Sequence, residues 1–96
     1  MGIKVIVEFK VKSGQRDALL GLFERMMTEG PPMPGSLGAT FYKAVDDPDM
    51  VVEIADWESA GAREAVYKEV EASGALAPML ELLAAPPRTT LVEPLH

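Results

Sequence analysis

An α+β fold, with one antiparallel sheet and helices against one of its faces, is what this sequence predicts. Three observations carry it. The apolar residues of the opening stretch, "IKVIVEFKVK", recur at every second position. The next stretch, "SGQRDALLGLFERMMTEG", changes to a helical period. Strand-like and helix-like segments then continue in the order β-α-β-β-α-(α)-β, the split β-α-β arrangement called ferredoxin-like. One such unit fills the 96 residues, so residues 1–96 read as a single domain.

Each element has its own justification. From Ile3 to Lys12, Ile3, Val5, Val7, Phe9 and Val11 point one way, and Lys4, Ile6, Glu8, Lys10 and Lys12 the other. In the first helix Leu19, Leu22, Phe23 and Met26 form one stripe. Ser13 is its expected N-cap, and Gly30 with Pro31 and Pro32 ends it. "SLGATFYKAV" is the second strand, "DDPD" the turn and "MVVEIADW" the third strand. Ser59 caps a helix reaching about Ser73, with Ala62, Val66 and Val70 on one side and Gly74 as its stop. "ALAPMLELLAA" is a short helical piece with Leu76, Met79, Leu80 and Leu83 in its stripe, and Pro78 is tolerated only in its first turn. "PPRTTLVEPL" is extended, and Pro94 places it along an edge.

Composition narrows the function classes. Hydrophobic residues make up 48% of the chain, enough for a small core. A domain of this size buries only about 60–65% of its unfolded surface, so a partner subunit is a plausible aid. There is no cysteine, which removes disulfides, thiolate metal sites and cysteine nucleophiles. The only histidine is His96, so no metal site is expected. A net charge of −6 with scattered Lys and Arg suits neither nucleic acid nor anionic membranes. The opening stretch is too short and too interrupted by charge for a signal peptide, no apolar run is long enough to span a bilayer, and the lack of cysteine fits a reducing cytoplasm. There is no Asn, and Gln15 is the one Gln.

The hairpin between the second and third strands holds the unusual residues. A turn at Asp46–Asp49 sets Tyr42 opposite Glu53, Thr40 opposite Ala55 and Gly38 opposite Trp57. Gly38 then leaves room beneath the Trp57 ring. One face of the hairpin, with Ala39, Phe41, Val52 and Ile54, reads as ordinary core. The other, with Gly38, Thr40, Tyr42, Val51, Glu53, Ala55 and Trp57, reads as a cavity wall or a subunit contact. The plainer alternatives are a cross-strand contact for Glu53 and simple packing for Trp57.

The chain resembles the antibiotic biosynthesis monooxygenase family of the dimeric α+β barrel superfamily. The resemblance rests on "IKVIVEFKVKSGQRDALLGLF", on "GSLGATFYKAVDD" and above all on "VVEIADWESAGAREA", a strand ending in Trp, an acid-Ser cap and an Ala-rich helix. It implies a homodimer whose sheets form a barrel, with a pocket in each subunit for a flat organic molecule. Some members oxygenate aromatic polyketides with O₂ and no flavin, haem or metal, so no cofactor is implied. Those members use an Asn and the strand Trp, and haem-degrading members use Asn, Trp and His. Here Trp57 matches, but Glu53 stands four residues earlier on the same face, and the missing Asn and internal His disfavour haem chemistry.

A carboxylate cannot bind an oxyanion as an amide does, but it can accept a proton. Glu53, desolvated by Val51, Ala55 and Trp57, is therefore the candidate general base. Tyr42 is its candidate hydrogen-bond partner and Trp57 a stacking platform, and these three are the candidate catalytic residues. Thr40, Gly38, Tyr67, Arg63, Met26 and Phe23 are the candidate substrate contacts. Arg63 balances an enolate if it turns inward and is otherwise a solvated helix residue. Tyr67 is a pocket wall or a helix-packing residue. Met26, Met27 and Met33 suit an adaptable pocket mouth or fill an imperfect core. The expected function is cofactor-independent oxygenation of a phenolic or polyketide-like molecule. The alternatives are a dimer that only binds a small apolar ligand and a cyclase or isomerase using the same base.

Overall fold

The computed structural model describes residues 2–30 and 32–96, so the reading of Pro31 as part of the helix stop lies outside the described residues. The chain runs β1 (Ile3–Lys10), α1 (Arg16–Glu29), β2 (Ser36–Ala44), β3 (Asp47–Trp57), α2 (Ala60–Ala72), α3 (Ala77–Glu81) and β4 (Arg88–Val92). The four strands form one antiparallel sheet in the order β2-β3-β1-β4, so β1 and β3 are central and β4 is an edge. This is the ferredoxin-like α+β fold.

The alternation of β1 has its expected effect. Val5, Val7 and Phe9 are buried, while Lys4 and Glu8 are exposed. Val51, Ala55 and Trp57 of β3 join them in one core with Leu19 and Phe23 of α1, Val66 of α2 and Met79 of α3. Leu19 is the most deeply buried of these, at 0% exposure. Burying one such side chain contributes about 1.5–3 kcal/mol.

The helix ends follow local chemistry, with one correction. Gln15, not Ser13, occupies the N-cap of α1, and no side chain caps that end. Gly14, at φ +78°, turns the chain just before it, and the Gln15 N–H donates to the Lys12 carbonyl at 3.0 Å. Ser59 does cap α2, its Oγ accepting from the Ala62 N–H at 3.0 Å. Gly35 brings the loop before β2 against this first turn. Its φ is +90°, and a Cβ there would fall 2.6 Å from the Ala62 Cβ, so a side chain is excluded twice over. Pro78 lies in the first turn of α3, where its missing N–H costs no helical bond.

The β2–β3 hairpin differs from the expected register by one residue. Its tip is Val45–Asp46, with Ala44 paired to Asp47. Three residues of β3, Pro48 to Met50, then bulge before Lys43 pairs with Val51. Pro48 has no N–H to give the ladder. The Asp49 N–H turns back to Asp47 Oδ1 at 3.0 Å, and the Asp49 carbonyl accepts from the Val11 N–H at 2.8 Å. These bonds draw the segment toward the end of β1. The result is Phe41 opposite Glu53, Tyr42 opposite Val52, Thr40 opposite Ile54 and Gly38 opposite Asp56.

A one-residue slip exchanges the faces of a strand. Ala39 and Phe41 therefore share the helix-side face with Glu53, Ala55 and Trp57. Tyr42 and Thr40 lie on the opposite face with Ile6, Val52 and Ile54, and both are exposed. Trp57 and Val51, expected on a cavity wall or a subunit contact, are 3% and 1% exposed within the single chain, so they need no second subunit to cover them.

Candidate functional site

Between the helix-side face of the sheet and the helices lies a cavity of about 680 Å³. Glu53, Ala55 and Trp57 of β3, Ala39 and Phe41 of β2, and Val7 and Phe9 of β1 line it from the sheet. Phe23, Met26 and Met27 of α1 and Arg63, Tyr67 and Glu71 of α2 line it from the helices, with Leu76, Met79 and Leu80 around α3. The lining exists because both layers present apolar side chains at this level while small residues, Gly38, Ala39 and Ala55, leave space between them.

The aromatic rings are organised in two groups. Phe23 stacks on Phe41 at 4.7 Å and tilts against Phe9 at 5.1 Å between ring centres. Trp57 tilts against Tyr67 at 6.3 Å. These are favourable separations for aromatic pairs. They give the cavity flat, rigid walls.

Three charged side chains reach the lining: Glu53, Arg63 and Glu71, the last on an exposed position of α2. The Arg63 guanidinium carbon sits 4.1 Å from the centre of the Tyr67 ring. Its Nε is buried without a hydrogen-bond partner among the described residues. Arg63 and Glu53 make no direct ion pair. Burial pushes the Glu53 carboxyl above the ordinary carboxylate range, with the Arg63 charge pulling the other way. Burial, and then the charge of Glu53, raise the Tyr67 hydroxyl, again opposed by Arg63.

Chemically, this is a proton acceptor of raised basicity beside a cation, inside flat apolar walls. The structure brings together Glu53, Trp57, Tyr67, Arg63, Met26, Phe23 and Gly38. It separates Tyr42 and Thr40 from them, because the bulge after the hairpin tip reverses the β2 faces. Gly38 is in the lining, at φ +122°, but Ser36 rather than Gly38 pairs with Trp57. Arg63 is half-buried rather than solvated. Phe41, ordinary core in the sequence pattern, lines the cavity because the observed register sets it opposite Glu53. Met79 and Leu80 carry no signal of their own beyond the helical stripe. Among the described residues, no three His, Cys, Asp or Glu side chains gather as a metal-binding group, and no helix is long and apolar enough to cross a membrane.

Comparison with known proteins agrees with this architecture. The model of the antibiotic biosynthesis monooxygenase family matches residues 2–72. The fold is similar to that of Rv0793 from Mycobacterium tuberculosis, at 24% identity over 100% of this chain and 97% of that one, with a TM-score of 0.80. It is similar to SnoaB, a cofactor-independent oxygenase from Streptomyces nogalater, at 16% identity over 99% and 94% of the two chains and a TM-score of 0.80. A conserved protein from Methanosarcina mazei Go1 is similar at 14% identity over 97% and 92%, with a TM-score of 0.82. At these identities the likeness is one of fold. No curated protein matches.

Proposed function

The chain belongs to the antibiotic biosynthesis monooxygenase family, and on that premise we propose that its cavity oxygenates a flat phenolic or polyketide-like molecule with O₂ and no cofactor. The observation that carries this reading is Glu53, a carboxyl of raised pKa inside an aromatic-walled cavity. Its carboxylate takes a proton from an acidic C–H or O–H of the substrate. The resulting carbanion gives its electrons to O₂ and a C–O bond forms. Protonation yields a hydroperoxide, and loss of water leaves a carbonyl where a CH₂ stood. The second oxygen atom departs in the water.

The other residues have supporting parts. Trp57, Tyr67 and the Phe23–Phe41 stack hold the ring system flat. Arg63 offsets the charge that appears on deprotonation. Two copies pair through the outer face of the sheet, where Ile6, Val52 and Ile54 are half-buried beside the exposed Tyr42.

The test is oxygen consumption with anthrone under air. Glu53→Gln keeps the shape and removes the base, so turnover should fall by about a hundredfold or more. Unchanged turnover removes Glu53 from the reaction. Four of the six methionines, Met26, Met27, Met33 and Met79, line the cavity, which favours a second reading as an adaptable binding site. Thermal stabilisation by aromatic ligands without oxygen consumption selects that reading. A product without added oxygen selects a cyclase or isomerase.

A further inference from the structure

Among the described residues, the buried Nε of Arg63 has no hydrogen-bond partner. A guanidinium is strongly penalised when it is taken from water and left incompletely hydrogen-bonded. Here the side chain is nevertheless held in the cavity, with its charge over the face of Tyr67 at 4.1 Å. Tyr67 in turn rests against Trp57. The guanidinium is thus positioned by an aromatic face and not consumed by an ion pair.

We infer that the cavity takes its ligand as an anion: Arg63 receives one carboxylate or oxyanion of a flat apolar molecule, Tyr67 positions Arg63 for it, and Glu53 holds a proton while that ligand is bound. The inference deepens the proposed function and rests on the same cavity. Deprotonation of a neutral substrate by Glu53 would generate this same arrangement, with the proton on the carboxyl and the negative charge by the guanidinium. A preformed aromatic acid imitates it and draws the proton from solvent instead.

The charges around Glu53 support this. Arg63, Tyr67 and Glu71 come from α2. The residues that α1, β1, β2 and the α3 region contribute to the lining, such as Met26, Phe9, Phe41 and Leu76, carry no charge. With Glu53 ionised, the Arg63 charge is offset from a distance. An anion seated on Arg63 takes over that role and leaves two like charges in one apolar space, so Glu53 takes up a proton.

The experiment is titration calorimetry of the full chain with 1-naphthoate and with its neutral isostere 1-naphthamide, between about pH 6 and pH 9. Naphthoate should bind at least about tenfold more tightly than naphthamide at the acidic end. Its affinity should fall as pH rises through the Glu53 titration, approaching about tenfold per pH unit, while naphthamide stays level. Glu53→Gln should make the naphthoate profile level. Arg63→Gln should abolish the preference for the acid and still bind the amide. Tyr67→Phe, which keeps the ring face, should retain the preference, and Tyr67→Leu should weaken it.

Naphthoate binding no tighter than naphthamide, including no binding of either, overturns the inference and needs no variant. So does a preference that survives Arg63→Gln. Oxygen consumption with anthrone is measured on the same preparation. Consumption without acid preference sinks only the anion site, and acid preference without consumption sinks only the oxygenase reading.

Discussion

Arg63 and Tyr67, one helical turn apart on α2, are stacked, with the guanidinium carbon 4.1 Å from the ring centre. The spacing of four residues puts both side chains on the same side of the helix. That side faces the sheet, so the charge is delivered into the cavity rather than to solvent. Glu53 lines the same cavity from the sheet, and the Arg63 charge acts on its carboxyl.

Glu53 should make stability depend on pH in an unusual direction. Burial raises its pKa in the folded chain. A raised carboxyl favours folding while it is protonated, below the unfolded-state pKa, and that contribution is lost as pH rises through the folded-state pKa. Glu53→Gln does not titrate. It should therefore melt above the parent at neutral to alkaline pH, with the gap closing as pH falls toward 4. Thermal melts across that range check this, and a gap that widens on acidification contradicts it.

The acidic limb of activity should move the same way. A base must be ionised to act, so oxygen consumption should rise with pH through a value above the ordinary carboxylate range. A rate that is already level at pH 5 would show that the titrating group is not a buried carboxyl.

Phe41 and Tyr42 should have opposite sensitivities despite being neighbours. Phe41 stacks on Phe23 and lines the cavity, whereas Tyr42 is 52% exposed on the far face. Phe41→Ala should cost about 3–5 kcal/mol at most, less here because the ring is only half-buried, and should weaken binding of aromatic ligands. Tyr42→Phe should leave oxygen consumption within about twofold, an effect of under ~0.5 kcal/mol on the barrier. Urea unfolding and the oxygen assay read the two effects separately.

Gly35 and Gly38 should differ as well. Both have positive φ, and alanine in such a conformation costs about 1–2 kcal/mol. A Cβ at Gly38 meets nothing within 4 Å, but at Gly35 it would overlap Ala62. Gly35→Ala should thus be the more destabilising in urea unfolding, and equal losses would mean that the loop yields freely.

Pairing through the outer face predicts the effect of Ile54→Glu. Ile54 lies in the centre of that face, opposite Thr40 and Ile6. The substitution should halve the mass seen in sedimentation and leave the monomer folded, because its side chain is outside the core. A parent chain that already sediments as a monomer at micromolar concentration argues against the pairing.

The sequence by itself determined the order of elements and the family. It did so because the two periods, two for strands and near 3.6 for helices, are properties of single segments. It also determined that Glu53 and Trp57 share a face, since both lie on β3 and are four residues apart. Tertiary structure decided the rest. Which face of β2 joins Glu53 depends on the bulge from Pro48 to Met50, and that bulge is held partly by the bond from Val11 to Asp49, a residue far along the chain. Nothing within the hairpin's own pattern reports that contact, so Tyr42 and Phe41 exchanged places. Arg63 is decided in the same way. On the sequence it is one charge on a polar helix, and only the packing of α2 over the sheet, with Tyr67 beneath the guanidinium, turns that charge into the cavity.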